Sequence, residues 1–179
     1  MRDRAVHLKG RNRTGFPSSL LTGFLREGAA MKEKRLFHYT VGIRLEEIIY
    51  NGVILPATKY IDKGERPAVW LTFEEEWPNV CNKSLMDAFG NIHKGTMQST
   101  EANAEGLYRI EVSKGLPWVH WQGWANVSGV SKKTVRRLAE VSPNKHLWRI
   151  VFDSIKRKDW IAIEKFNNGE WVVFDANIV

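Results

Sequence analysis

The segment from Leu36 to Leu55, LFHYTVGIRLEEIIYNGVIL, constrains the fold most, because its hydrophobic pattern changes from strand-like to helix-like within a few residues. RLFHY, at Arg35–Tyr39, predicts a first strand, and the hydroxyl of Thr40 can cap a following helix. The next apolar side chains recur at helical spacing and predict one buried helix face: Val41, Leu45, Ile48 and Ile49. Asn51-Gly52 then supplies a left-handed C-terminal stop. A strand, a helix and a turn therefore open this part of the chain.

The remaining elements follow from hydrophobic alternation and turn residues. Strands are predicted at 68–73 (AVWLTF), 107–112 (LYRIEV), 148–152 (WRIVF), 159–166 and 170–174, the last two joined by the turn Asn167-Asn168-Gly169. Helices are predicted from Pro78 to Phe89 and over 131–141, with a long polar loop at 91–106. Early helices and late strands indicate an α+β fold with a mostly antiparallel sheet and about three helices.

Length and charge indicate one domain with a distinct N-terminal stretch. The 179 residues carry a net charge of +7, and residues 1–30 hold six Arg or Lys against two Asp or Glu. This stretch contributes +4 and residues 31–179 contribute +3. We therefore expect a basic extension over 1–30, which is either a disordered arm or a segment preceding a native start at Met31, and a single domain over 31–179.

Cysteine content and hydropathy narrow the setting. The single cysteine, Cys81, excludes an intramolecular disulfide and fits a reducing compartment, so a cytoplasmic location is expected. No stretch approaches the roughly 18 consecutive apolar residues of a membrane span, so no membrane partner is expected.

Common catalytic motifs are absent from the sequence. It contains no P-loop, no GxGxxG, no HExxH, no paired CxxC and no GxSxG. The five histidines lack metal-ligand spacing, so no metal site is predicted. Cys81 has no histidine close in sequence and is interpreted as a buried structural thiol rather than a nucleophile.

His38 is the one histidine in a suggestive position, because it ends a strand directly before a helix N-terminus. The free N–H groups and dipole of a helix start favour anionic or hydroxyl-rich ligands. The alternative is a structural histidine that hydrogen-bonds a neighbouring strand. Position alone leaves both interpretations open.

The order FHYT, LEEII, NGVILP and AVWLT resembles the first half of the ADP-ribosyltransferase superfamily, in particular its small bacterial and phage branches. In that superfamily the first core strand ends in a His or Arg, a Ser, Thr or Tyr follows near the end of a second strand, and a Glu lies on a late strand. The resemblance covers about residues 35–75 and implies a split, mostly antiparallel sheet with bound NAD.

The resemblance assigns roles to particular residues. It implies that His38, assisted by Thr40, holds a ribose hydroxyl of NAD, and that Thr72 supports the site from the second strand. Arg66 would reach a pyrophosphate or a nucleic-acid phosphate. Trp70 or Tyr60 would stack on the nicotinamide, with a core position as the alternative for Trp70. Glu164 is ranked first as the late catalytic carboxylate, ahead of Glu111 and Glu170, because such a carboxylate stabilises the positive charge that develops on the ribose.

Two further clusters have open interpretations. PWVHWQGW places Trp118, Trp121 and Trp124 close together with His120, either as an aromatic core or as a stacking surface for a base or nicotinamide. SKKTVRRLAEVS carries basic side chains that are either a solvated helix face or phosphate contacts: Lys132, Lys133, Arg136 and Arg137.

The function expected from the resemblance is an NAD-binding ADP-ribosyltransferase that modifies a protein or a nucleic acid, as a toxin or phage effector would. The alternative is a non-enzymatic nucleic-acid- or protein-binding module on the same fold. The two differ in whether a late carboxylate lies near His38.

Overall fold

The computed structural model describes residues 34–174, so the predictions made for residues 1–30 lie outside the described part. Eleven strands occur there: β1 Leu36–Val41, β2 Val53–Ile54, β3 Val69–Thr72, β4 Ser84–Met86, β5 Ile92–Lys94, β6 Leu107–Val112, β7 Val119–His120, β8 Trp148–Val151, β9 Ile155–Lys156, β10 Trp160–Asn167 and β11 Glu170–Val173. The α-helices are α1 Gly42–Asn51, α2 Met97–Asn103, α3 Trp121–Val127 and α4 Lys132–Val141, and short 3₁₀ turns cover Asn79–Cys81, Lys145–Leu147 and Arg157–Asp159.

Seven strands form one antiparallel sheet in the order β11-β10-β6-β1-β3-β8-β7. β2 pairs with β9, and β4 pairs with β5, as two small separate ladders. The α+β class and the largely antiparallel sheet predicted from the sequence are therefore confirmed. No helix among residues 34–174 is long and apolar enough to cross a membrane.

The large sheet is joined unevenly on the two sides of β1. β1 pairs with β6 along all six of its residues, from Leu36 to Val41, but it pairs with β3 only at Phe37 and Thr72. The β11-β10-β6-β1 half and the β3-β8-β7 half thus meet at one residue pair. We call this junction the seam.

Each face of the sheet carries its own core. One face buries Leu36, Leu71 and Ile110, and Leu45 of α1 packs over it. The opposite face buries Phe37, Tyr39 and Val41, covered by Trp77 and Ala104 from the segment between β3 and β6. We call these the α1 face and the Tyr39 face. Two residues that are paired across neighbouring strands of this sheet point to the same face.

A third core lies under α3 and α4 and is aromatic. Trp121 and Trp124 are buried there and contact Trp70, whose ring centroid lies 6.0 Å and 4.7 Å from theirs. Trp148 adds a further edge-on contact to Trp70 at 5.9 Å. Two of the three clustered tryptophans therefore form core, and only Trp118 lies outside this cluster.

Three local predictions are wrong. The helix predicted from Pro78 to Phe89 is a 3₁₀ turn followed by the β4–β5 hairpin. Among the residues of these two strands only Leu85 is partly buried, so the segment has no continuous apolar helix face to bury. The predicted loop at 91–106 contains β5 and α2, and α2 begins with a capping box between Thr96 and Ser99. Thr40 does not cap α1, since it lies inside β1, and Val41 occupies the N-cap position.

The helix stop and the late hairpin agree with the sequence. Gly52 is left-handed at φ 63° after α1. Asn168 and Gly169 both have positive φ, at 50° and 92°, as a tight hairpin turn requires.

Candidate functional site

His38 lies next to the seam. Its Nδ1 is 3.1 Å from the carbonyl oxygen of Trp70, so Nδ1 carries the proton and donates, and Nε2 of the neutral ring is left as an acceptor. Burial lowers the pKa of His38 below its ordinary 6.5; the Trp70 carbonyl partly offsets this, and the charge of Lys83 lowers the pKa slightly further. The ring is thus neutral at pH 7. Its hydrogen bond to Trp70 links β1 to β3 next to the single residue pair that joins these two strands.

The other four residues assigned to cofactor binding lie in four different places. Thr40 is buried in β1, and Trp70 belongs to the aromatic core. Thr72 is fully buried at the seam, and its hydroxyl accepts a bond from the backbone N–H of Glu74 at 3.1 Å. Arg66 is exposed, with its guanidinium 4.3 Å above the ring of Phe152. His38 and Thr72 both lie beside the seam but on opposite faces of the sheet, and Arg66 lies against Phe152.

Glu164 is buried in a charged pair on β10. Its Oε2 accepts from Nε of Arg109 at 2.5 Å, and the two side chains are only 8% and 5% exposed. The guanidinium of Arg109 also donates to the carbonyl of Glu75 and lies 4.1 Å above the ring of Phe37 and 4.5 Å above that of Trp171. Arg109 is therefore held on several sides.

Arg35 links Glu164 to Glu111, the carboxylate ranked second as the catalytic candidate. Its Nη2 donates to Oε1 of Glu164 at 2.5 Å and to Oε2 of Glu111 at 2.6 Å, while its Nε donates to the same Glu111 oxygen at 2.8 Å. Arg35 is 27% exposed and Glu111 15%, so the group opens to solvent on their side. We call these four residues the Arg–Glu cluster: Arg35, Arg109, Glu111 and Glu164.

The strand register places His38 and Glu164 on opposite faces of the sheet. Tyr39 pairs with Arg109, which pairs with Glu164, so these three share the Tyr39 face. His38 pairs with Ile110, which pairs with Ile163, and these share the α1 face. The sequence prediction put His38 and Glu164 in one site, but the structure gathers Glu164 with arginines instead.

The Arg–Glu cluster is a group of charged side chains packed against two aromatic rings. Its two positive and two negative charges balance, and the rings of Phe37 and Trp171 lie beneath the guanidinium of Arg109. The bonds to Glu111 and Glu164 raise the pKa of Arg35 above its ordinary range, so Arg35 stays charged. Thr72 shares this face through its pairing with Phe37. An anionic ligand that reaches Arg35 would compete with both carboxylates.

Sequence reasoning missed both arginines of this cluster. Arg109 alternates with Tyr108 and Ile110 in β6, and its neighbours Leu107 and Glu111 mark a second buried face. A charged residue at a core-facing strand position was the available signal. Glu170, the third carboxylate candidate, is exposed at the start of β11 beside the hairpin turn.

The remaining candidates are inert or lie apart from these residues. Burial raises the pKa of the Cys81 thiol to about 12, which removes it as a nucleophile at neutral pH. No His, Cys, Asp or Glu grouping within 34–174 has metal-binding geometry. Two open cavities of about 180 Å³ and 390 Å³ are lined neither by His38 nor by Glu164.

Comparisons with known proteins give no family. A scan against protein-family profiles finds no match, and searches of the curated proteins and of the solved structures find no significant match.

Proposed function

We propose that this protein binds NAD and acts as an ADP-ribosyltransferase-like enzyme, with Glu164 as the catalytic carboxylate. The observation that carries the proposal is the convergence of Glu164 and Glu111 on Arg35 at a partly exposed position. A residue of each expected kind lies on the Tyr39 face: Arg35 just before the first strand, Thr72 on the second, and Glu164 on a late strand. In this proposal Arg35, which precedes the first strand rather than ending it, replaces His38.

The residues of the cluster fit an anionic dinucleotide. Arg35 would hold the pyrophosphate through its planar fork, since its side chain is 27% exposed. Bound NAD would supply an electrophilic ribose carbon, to which an acceptor nucleophile or water would bond as nicotinamide leaves. A pyrophosphate that draws Arg35 away leaves Glu164 with Arg109 alone, so more of its negative charge is available to stabilise positive charge on the ribose.

The first test is NAD binding by calorimetry to the full chain, followed by detection of released nicotinamide. We expect Arg35→Gln to weaken binding, and Glu164→Gln to abolish nicotinamide release while Glu111→Gln keeps it. Circular dichroism on each variant establishes that it is folded. Absence of NAD binding by the folded wild-type protein contradicts the proposal. Loss of binding in His38→Ala with normal binding in Arg35→Gln would place NAD on the α1 face instead.

A second candidate is a non-enzymatic binding module on this fold. It is favoured by the complete ion pairing of Glu164 and by its position on the face opposite His38. In that case Glu164 has a structural role only, which is to pair with Arg109, and it does not act on a substrate. Normal NAD binding without nicotinamide release in the presence of acceptor extracts would favour this module over the enzyme.

A further inference from the structure

Arg149 is a half-buried cation that the described protein does not neutralise. It lies on β8, and it makes no ion pair with any carboxylate among residues 34–174. Its Nη1 donates to the carbonyls of His146 and Trp148 at 3.0 Å and 2.8 Å, but its buried Nε has no acceptor. In the Arg–Glu cluster, by contrast, both arginines are paired with carboxylates.

Two aromatic rings hold the guanidinium of Arg149 in place. The rings of Phe73 and Trp118 each have their centroid 4.8 Å from its Cζ. Trp118 also meets His120 edge-on at 5.2 Å, and His120 pairs with Arg149 in the β7–β8 ladder. Because His120 is exposed and Trp118 is half-buried, the two rings reach solvent beside the cation.

Burial of this charge without a counter-ion has a physical consequence. Desolvation lowers the pKa of Arg149, which means that the charged form is less favourable there than in water. A buried charge is normally paired, because an unpaired one costs far more than a pair. Packing alone would be served by an apolar side chain at this position, so the charge of Arg149 is left open to an anion that residues 34–174 do not supply.

We infer that Arg149, Trp118 and His120 form a binding site for single-stranded nucleic acid. Arg149 takes a phosphate with guanidinium donors other than its buried Nε. Because the rings of Trp118 and His120 stand at 82° to each other, an unpaired base stacks on one ring and meets the other edge-on. A duplex would offer the same phosphates but would keep its bases away from the rings. This site goes beyond the NAD proposal and does not depend on it, since it uses neither His38 nor the Arg–Glu cluster.

The surface next to this site has room for a neighbouring nucleotide. Val151 lies two residues from Arg149 on the same face of β8, and it lines the cavity of about 390 Å³. The cavity wall carries Lys156 and Lys158 together with Asp153 and Asp159, so its charges balance. Phosphate recognition therefore depends on Arg149, and the cavity supplies space.

The test measures binding of a fluorescein-labelled oligothymidylate to the full chain by anisotropy, without NAD. We expect Arg149→Gln and Trp118→Leu each to weaken binding by about tenfold or more. His120→Ala, at an exposed position that tolerates substitution, should weaken it by a smaller factor of about fivefold. Arg44→Gln removes an exposed arginine of α1 and should leave binding unchanged.

Several outcomes would overturn the site. Equal losses in Arg44→Gln and Arg149→Gln would mean that binding follows total charge. Tighter binding of a duplex than of the single strand would exclude base stacking at Trp118. If Arg149→Gln does not fold, Arg149→Lys and His120→Ala decide the matter, and wild-type affinity in both would refute the proposal.

Discussion

Arg109 and Glu164 are both buried because each supplies the bond that the other needs. Their side chains are 5% and 8% exposed, and one short bond joins them across the β6–β10 ladder. Arg35 donates to the other carboxylate oxygen of Glu164, so both oxygens of Glu164 accept a hydrogen bond. At the scale of single residues, removal of either Arg109 or Glu164 should lower the free energy of unfolding by more than the intact ion pair contributes, because it leaves the other charge buried and unpaired.

Glu164→Gln should therefore lower the free energy of unfolding by about 3 kcal/mol, because it leaves Arg109 buried without a counter-ion. Urea unfolding followed by tryptophan fluorescence measures the change. Glu47→Gln is the matched control, since the Arg44–Glu47 pair is exposed on both sides and should change stability by less than about 0.5 kcal/mol. Equal effects of the two substitutions would show that burial does not strengthen the Glu164 pair.

His38 gives a prediction with a definite sign. Its pKa in the folded protein lies below the ordinary 6.5, mainly through burial, so the unfolded chain binds a proton more readily than the folded one. Stability is then complete above about pH 6.5 and falls as the pH drops below that value. Unfolding in urea at about pH 7.5 and about pH 5.5 should show lower stability at the acidic value.

The control for His38 separates it from the other histidines. His38→Gln keeps a donor for the Trp70 carbonyl but cannot titrate, so its stability should change less between the two pH values. His120→Gln, at an exposed position, should keep the wild-type dependence. A dependence that survives in His38→Gln would assign the acid sensitivity to another group.

At the scale of elements, the start of α1 is fixed by a close approach rather than by a cap. The N–H of Gly42 donates to the carbonyl of Gly106 at 3.2 Å, and a Cβ at Gly42 would overlap the backbone of Glu105 and lie 2.7 Å from its Cβ. No side chain caps this helix. Thr40 was predicted to cap α1 because its hydroxyl directly precedes the helical pattern. It lies in β1 instead, and the helix begins one residue later, after Val41.

Gly42→Ala should destabilise the protein by about 1–3 kcal/mol, although the same change in an unconstrained helix stabilises it. The added methyl forces β1 and the Glu105–Gly106 turn apart. Thermal unfolding by circular dichroism measures the shift, with Gly115→Ala as the control, since the nearest atom to its Cβ would be Ser113 Oγ at an ordinary 3.5 Å. A stabilised Gly42→Ala would mean that the turn can move away.

The sequence predicted those elements whose side chains alternate or recur over a long stretch. LYRIEV, the late hairpin and the helix Lys132–Val141 have such patterns, and the structure contains all three. The segment 78–106 lacks one, because its strands are three residues long and mostly exposed. There, pairing in the hairpin and capping by Thr96 decide the structure, and neither leaves a periodic signal.

The candidate site was predicted in part for a related reason. Alternation along β10 put Glu164 on the side away from Ile163, which packs on the α1 face, whereas the register irregularity between Trp160 and Ala162 leaves Ile161 exposed. Which residue of β1 shares that side depends on the register through β6, and a single sequence does not specify register. The partner therefore proved to be Arg35, three residues before His38.

At the scale of the whole molecule, positive charge is concentrated in more than one part of the chain. The net charge is +7, of which residues 1–30 contribute +4. The exposed basic side chains of α4 form a further group: Lys132, Lys133, Arg136 and Arg137. Any nucleic acid will experience this general attraction as well as the contact at Arg149, and salt dependence distinguishes the two.

Deletion of residues 1–30 should make single-strand binding less dependent on salt, and the Arg149→Gln loss should persist in the shortened chain. Each phosphate contact removed should reduce the slope of log K against log salt by about 0.7, whereas stacking on Trp118 contributes nothing to that slope. Anisotropy titrations at several salt concentrations, on both chain lengths with and without Arg149→Gln, measure the four slopes. Loss of most of the affinity on deletion, with no further loss in Arg149→Gln, would assign the binding to residues 1–30. A persistent loss, with a shallower slope, would separate a general electrostatic attraction from a specific site at the β7–β8 edge of the sheet.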